Sequence, residues 1–501
     1  SSSCSSSSSS SSCSSSSSST PADGLVVLSG ADIAWDIATT LKPYVPCVTI
    51  SDIGLVAEDM GLTGSEQHLM QQRVLDTVKR QHPNVYPITL SKDARRECYS
   101  EQILNTLFHC RTPPVGTGFS HLDWQGYVRM NEEFAKAVEQ VYSEGDVILV
   151  YDYHFMLLPL MLRQAIPKAT IVVHWATVFP SSEMFRILPQ REALLSGLLG
   201  ADLITFQAYA FHRQFANTCR MLKGSGGLAG VRIAIVPRGL DPAPWLQQMR
   251  LQKSGGAADW EELREKLGGR TVFVSVDSIS ANSGIPHKMV AFRHFLQEHP
   301  EYINRVVFVQ AAITDSTAPD TFLDQDPRQL LSETECHELL SQVYHFVGCI
   351  NSEFGAVASQ AVHFLTVPWT AEGLSPLFAC ADVCLATSVR ESFSWAAYAF
   401  ILCQKFSNKG VLVLSEFSGS AQALGAGALM VNPWNARAFA AALHDAVNMS
   451  EQERAERHAY AYRYCTKHSD KMWARQLLTE LGTVLRTPSR EGQISGETAS
   501  A

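Results

Sequence analysis

Residues 146–183 (DVILVYDYHFMLLPLMLRQAIPKATIVVHWATVFPSSE) leave few folds open. Residues 147–151 are a short apolar run bounded by charges, as in a strand covered on both faces. Residues 155–164 are rich in Leu and Met, and Pro167 ends the helix they predict. A second apolar run, 170–175, reads as the next strand. Strand, helix and strand at this spacing make one βαβ unit of a parallel sheet. Ligands of such sheets sit at the carboxyl ends of the strands. Asp152 to His154 and residues 176–183 fall there.

The alternation continues in both directions. Before the unit come predicted strands at 25–29, 47–50 and 84–90 and helices at 33–41, 67–81 and 126–143. After it come helices at 187–200 and 208–223 and a strand at 231–236. Residues 242–270 are polar and helix-forming, which predicts a connection between halves. The pattern restarts with strands at 271–276, 305–310, 345–349, 383–386 and 411–414. Helices at 287–298, 375–379, 393–404 and 436–449 separate them. Residues 314–335, polar and rich in Asp and Pro, read as an exposed excursion.

Two such series in 501 residues predict an α/β protein with two doubly wound, Rossmann-like domains facing a cleft. The expected boundaries are 24–241, a linker at 242–270, and 271–465, with a last helix at 466–486. Residues 1–23, almost pure serine, cannot bury a core and are expected to be disordered, as are the polar residues 487–501.

A formal charge of −9 argues against nucleic acid or an anionic membrane as a partner. No apolar run reaches the roughly 18 residues of a spanning helix. The twelve cysteines are scattered without a CxxC pair, which fits reduced thiols in the cytoplasm. His345, Cys349 and Cys336 do not have metal-ligand spacing, and no GxxxxGK[ST] or GxSxG occurs. Asp152 and Glu183 sit at neighbouring strand ends but are not read as a hydrolase pair.

YDYHFMLLPLML, FPSSEMFR, GLLGADLITF, VDSISANSGIP, ADVCLATSVRES and LSEFSGSAQALGAGALMVNPWN occur in that order along the chain. Together they resemble the trehalose-6-phosphate synthase family of retaining glycosyltransferases, over roughly residues 24–485. The resemblance implies the two-domain GT-B arrangement, with a last helix crossing back to the first domain. It also implies glucosyl transfer from UDP-glucose to glucose 6-phosphate, with no metal or other cofactor.

That chemistry must neutralise a departing diphosphate. A helix N-terminus supplies about half a charge. A cation at about 4 Å is worth roughly 4 kcal/mol at an effective dielectric near 20, or about three decades in rate. In the family the turn after residue 276 carries an arginine following its aspartate and a lysine preceding its glycine. Here those positions are Ser278 and Ser283, while Asp277 and Gly284 are kept. The nearest cation is Lys288, just past Pro286.

The other positions implied by the resemblance are also replaced. Its nucleotide-binding Asp-Gly-Met-Asn run becomes Glu391, Ser392, Phe393 and Ser394, and its ribose-gripping glutamate becomes Ala399. Arg390 is retained. Phe393 and Trp395 are candidates to fill the uridine diphosphate space. On the acceptor side, a histidine becomes Ala176, a tyrosine and a tryptophan become Arg96 and Asn105, and two arginines become Ala31 and Cys349. Asp152 alone stands in place there, and His174 reads as a core histidine.

Fold retention with loss of the polar cleft groups predicts a catalytically silent, regulatory or scaffolding member of this family. Its expected partners are trehalose synthase or phosphatase chains. An active UDP-glucose-dependent synthase with a rearranged site is the alternative. A non-catalytic sugar-phosphate sensor, supported by Arg96, is a further one.

Overall fold

In the computed structural model the described residues are 24–486, apart from 29–32, 53–63, 92–93, 95–97, 112–118, 225, 229, 255–258, 314–332, 357–358 and 368–369. The serine tract, the tail, most of the 314–335 excursion, Ala31 and Arg96 lie outside them.

Thirteen strands are described: β1 Leu25–Leu28, β2 Cys47–Asp52, β3 Val85–Ile88, β4 Val147–Tyr151, β5 Thr170–Trp175, β6 Leu203–Phe206, β7 Arg232–Ile235, β8 Thr271–Ser278, β9 Val306–Ile313, β10 Val362–Val367, β11 Val383–Ala386, β12 Val411–Ser415 and β13 Ala428–Val431. They form two sheets, in the orders β3-β2-β1-β4-β5-β6-β7 and β10-β9-β8-β11-β12-β13. Every pairing is parallel. These are the two halves of the GT-B fold. The centre of each sheet is buried and mostly apolar because helices cover both faces. All five residues of β4 and all eight of β9 are buried.

The helix Asp470–Arg486 packs against the first sheet, where Trp473, Ala474, Leu477 and Leu481 join Leu25, Leu149 and Leu203 in one core. Arg232 on β7 donates to Glu480 on this helix at 2.9 Å. The stretch 242–270, expected to be a connection, is packed structure. Helices Pro242–Ser254 and Asp259–Lys266 put Trp245, Met249 and Trp260 into the core of the second half. Polar composition concealed a few large anchors.

Residues 345–349, expected as a strand, lie inside the helix Glu333–Phe354. Val343, Val347, Ile350 and Phe354 recur at helical spacing and pack on the second sheet. The strand of this region is β10, at the sheet edge.

Candidate functional site

The turn leaving β8 and the turn leaving β11 meet at the carboxyl ends of their strands. Val389 N–H donates to the Asn282 carbonyl at 2.8 Å and ties the two together. Gly284 begins the helix Ile285–Glu298 with φ of 70°, and a Cβ there would meet the Thr387 carbonyl at 2.8 Å. Only glycine fits both the left-handed backbone and that close approach.

The two turns enclose a cavity of about 60 Å³. Its walls include Asp277, Ser278, Asn282, Ser283, Arg390, Glu391, Phe393 and Trp395. Pockets that take ligands of drug size usually run from about 300 to 1,000 Å³. Phe393 packs on Tyr398, ring centroids 4.7 Å apart, and Trp395 is 6% exposed within the core. Ala399 is fully buried in the same helix, Trp395–Cys403, whose nine residues are all buried. Ala399, expected at the ribose-gripping position, is therefore part of the core packing.

Ser278, Ser280 and Ser283 line the cavity, two of them at positions expected to carry charge. Ser283 Oγ donates to the Ser280 carbonyl at 2.6 Å and is used up within the turn. Lys288 is wholly buried. Its Nζ lies 2.6 Å from Asp277 Oδ1 and 2.9 Å from Ser275 Oγ. Ser275 and Gln310 donate to Asp277 Oδ2 at 2.7 and 2.8 Å. Lys288 is thus spent on neutralising the aspartate of this turn.

A second carboxylate borders the cavity. Burial pushes Glu391 above the usual carboxylate range against hydrogen bonds from Ser418, Ser388 and Ser394, and the Asp277 charge pushes it further up. Ser388 Oγ donates to Glu391 Oε2 at 2.9 Å. Arg390 is the cation that lines the cavity, and its Nε has no hydrogen-bond partner among the described residues. Its charge also reaches His109 of the first half. Burial first, then Arg111 and Arg390, drive that histidine down to about 3 against a bond to the Asn105 carbonyl. The cavity wall carries two acidic groups, Asp277 and Glu391, and the cation Arg390, with Lys288 buried against Asp277.

In the first half, Asp152 follows β4 with φ of 63° and ψ of −169°, a region that non-glycine residues rarely occupy. Its carboxylate accepts from Thr177 N–H at 3.2 Å and from the Thr177 hydroxyl. Burial raises its pKa to about 6 against these bonds. Ala176, before Thr177, packs at the edge of the core beside the last helix. His174 is a core residue, as expected. Its Nδ1 lies 2.8 Å from Thr205 Oγ1, and its ring packs between Tyr151 and Trp473. Glu183 sits in the first turn of the short helix Ser182–Phe185, with Ser182 Oγ 3.0 Å from its carboxylate.

The expected acceptor-side positions Asp152, Asn105, Ala176 and Cys349 do not line the cavity, and neither does Ala399. Asn105 is buried in the helical turn Cys98–Asn105, where its carbonyl bonds His109. Cys349 lies on the helix Glu333–Phe354, in a shallow recess with Arg293, Tyr344 and Glu353, its Sγ 3.6 Å from His345 Nε2. Among the described residues one group of histidine and carboxylate side chains converges, His299, Glu301 and His444, and it too lies off the cavity. No helix among the described residues is long and apolar enough to cross a membrane.

The sequence profile of glycosyltransferase family 20 matches residues 56–483. The alpha,alpha-trehalose-phosphate synthase [UDP-forming] of Emericella nidulans is 36% identical over 418 residues, covering 80% of this chain and 79% of its own length. A probable alpha,alpha-trehalose-phosphate synthase [UDP-forming] of Arabidopsis thaliana is 36% identical over 380 residues, 74% of this chain. The chain spans 44% of that relative's length, and 42% of a second Arabidopsis synthase. Among solved structures, the N-terminal domain of Candida albicans trehalose-6-phosphate phosphatase superposes with a TM-score of 0.79 at 25% identity, covering 92% of this chain and 96% of its own. An Escherichia coli structure described as bound with UDP-2-fluoro glucose superposes with a TM-score of 0.75 at 22% identity, covering 93% and 100%. At that identity the likeness is one of fold.

Proposed function

Because this chain belongs to glycosyltransferase family 20, we propose that it is a silent member, a regulatory or scaffolding subunit of trehalose biosynthesis that no longer transfers glucose. The observation that carries this reading is the pairing of Lys288 with Asp277 beneath a serine-lined cavity. A departing diphosphate there would meet the Asp277 and Glu391 carboxylates and a single available cation, Arg390. Losing two cations of roughly 4 kcal/mol each would remove about six decades of rate. The small cavity volume supports the same conclusion, as does the replacement of the ribose-binding glutamate by Ala399.

Its partners are proposed to be active synthase or phosphatase chains of the same pathway. The Candida albicans domain supports this, since a fold of this kind there belongs to a protein named as a phosphatase. The described cysteines are free thiols, which suits the cytoplasm.

Activity is the competing reading, favoured by relatives named as UDP-forming synthases at 36% identity. The purified chain with UDP-glucose and glucose 6-phosphate separates the two. A silent subunit releases UDP no faster than a protein-free control, whereas a synthase releases it with saturation in both substrates.

A further inference from the structure

The helix Ile285–Glu298 ends at His299, whose backbone N–H closes the last turn on the Phe295 carbonyl. Pro300–Tyr302 then makes one tight turn, held by Tyr302 N–H donating to the His299 carbonyl at 3.1 Å. That turn folds Glu301 back beside His299, with Nδ1 of the histidine 3.4 Å from Oε1 of the carboxylate. From the helix Ala436–Asn448, His444 brings its ring over that of His299, centroids 4.1 Å apart. The ligand atoms of His299, Glu301 and His444 all lie within 4.8 Å of one another. Asp445 adds a carboxylate 3.9 Å from His444 Nδ1.

We propose that His299, Glu301 and His444 form a zinc site that clips the end of the helix Ile285–Glu298 to the helix Ala436–Asn448. Two imidazoles with one carboxylate is a donor set suited to borderline divalent ions such as Zn²⁺, not to Mg²⁺ or Ca²⁺, which take oxygen. Metal–ligand distances of about 2.1 Å put tetrahedral donors about 3.4 Å apart. The His299–Glu301 pair already has that spacing. His444 reaches it by rotation of a partly exposed side chain, leaving the fourth position to Asp445 or water.

The frame around the site is built. Asn448 Nδ2 donates to the His444 carbonyl at 2.9 Å and to Tyr302 Oη at 2.9 Å, joining the helix to the turn that carries Glu301. These bonds hold the two elements that carry the ligands in fixed relation. The residues are contributed by one helix end, its following turn and a neighbouring helix, so an ion here would bridge elements that sequence separates by more than a hundred residues.

The test uses the full chain, stripped with EDTA, freed of chelator and alkylated at its exposed thiols. Zn²⁺ is titrated against a chromophoric chelator, alongside His299→Ala, His444→Ala and the double variant, each checked for unchanged circular dichroism. The expected result is one tight equivalent in the parent, weakened at least tenfold in each single variant and lost in the double. The thermal midpoint of the parent, but not of the double variant, rises with Zn²⁺ and is unmoved by Mg²⁺ or Ca²⁺. The same tight equivalent in the double variant, no equivalent below about 10 µM in the parent, or equal competition by Ca²⁺ would overturn the proposal.

Discussion

Lys288 Nζ and Asp277 Oδ1 lie 2.6 Å apart, the lysine wholly buried and the aspartate nearly so. Breaking a buried pair leaves one charge stranded, at about 3–5 kcal/mol. Lys288→Ala is therefore expected to lose that much in urea denaturation. Lys288→Met combined with Asp277→Asn should recover most of it, since no charge then remains unpaired. A double variant as unstable as the single would contradict this, since it would mean that a stranded Asp277 charge is not what destabilises Lys288→Ala.

Gly284→Ala is expected to destabilise the fold by about 2 kcal/mol. The left-handed backbone alone costs a residue with a Cβ roughly 1–2 kcal/mol, and the Thr387 carbonyl at 2.8 Å must also move. Thermal denaturation reads this directly. Alanine at Gly226, where nothing lies within 4 Å of an added Cβ, is the control and should change little.

Asp152 contributes a pH dependence of unusual sign. Its folded pKa of about 6 lies above the ordinary carboxylate value near 4. Stability from its proton is present in full below about pH 4 and is lost as pH rises through 6, by up to about 3 kcal/mol. Asp152→Asn should remove that fall, seen as a flatter plot of urea midpoint against pH between 4 and 6.

His109 and His174 act in the opposite direction. Burial holds both at about 3, far below 6.5. The native state is favoured above pH 6.5 and loses stability as pH falls toward 3, at about 1.4 kcal/mol per pH unit for each ring. His174→Gln should reduce that acid slope by about one ring's share in the same denaturation series.

The repeated strand–helix alternation was legible because both sheets are covered on both faces, so β4 is an unbroken apolar run and β9 is interrupted only by Gln310. The strands β6, β10 and β13 were not. β13 has four residues, two of them partly exposed, and β10 carries His363 and Thr366 at the sheet edge. Residues 345–349 read as a strand because the three- and four-residue spacing of Val343, Val347, Ile350 and Phe354 runs beyond that short stretch. At the site, Ser278 and Ser283 stood out as missing charges, and both line the cavity. The fate of Lys288 was hidden. It depends on a strand, a turn and a helix placing residues eleven apart in contact, which no local pattern encodes. The effect of the Arg390 charge on His109, across the two halves, was equally invisible.

Calorimetric titration of the purified chain with UDP-glucose tests most directly whether the cleft has lost its diphosphate site. The predicted result is no saturable heat up to millimolar nucleotide sugar, in buffer of either low or moderate salt. Saturation at tens of micromolar, weakened by added salt and abolished in Arg390→Ala, would contradict it by showing that one arginine suffices where Ser278 and Ser283 replace charge.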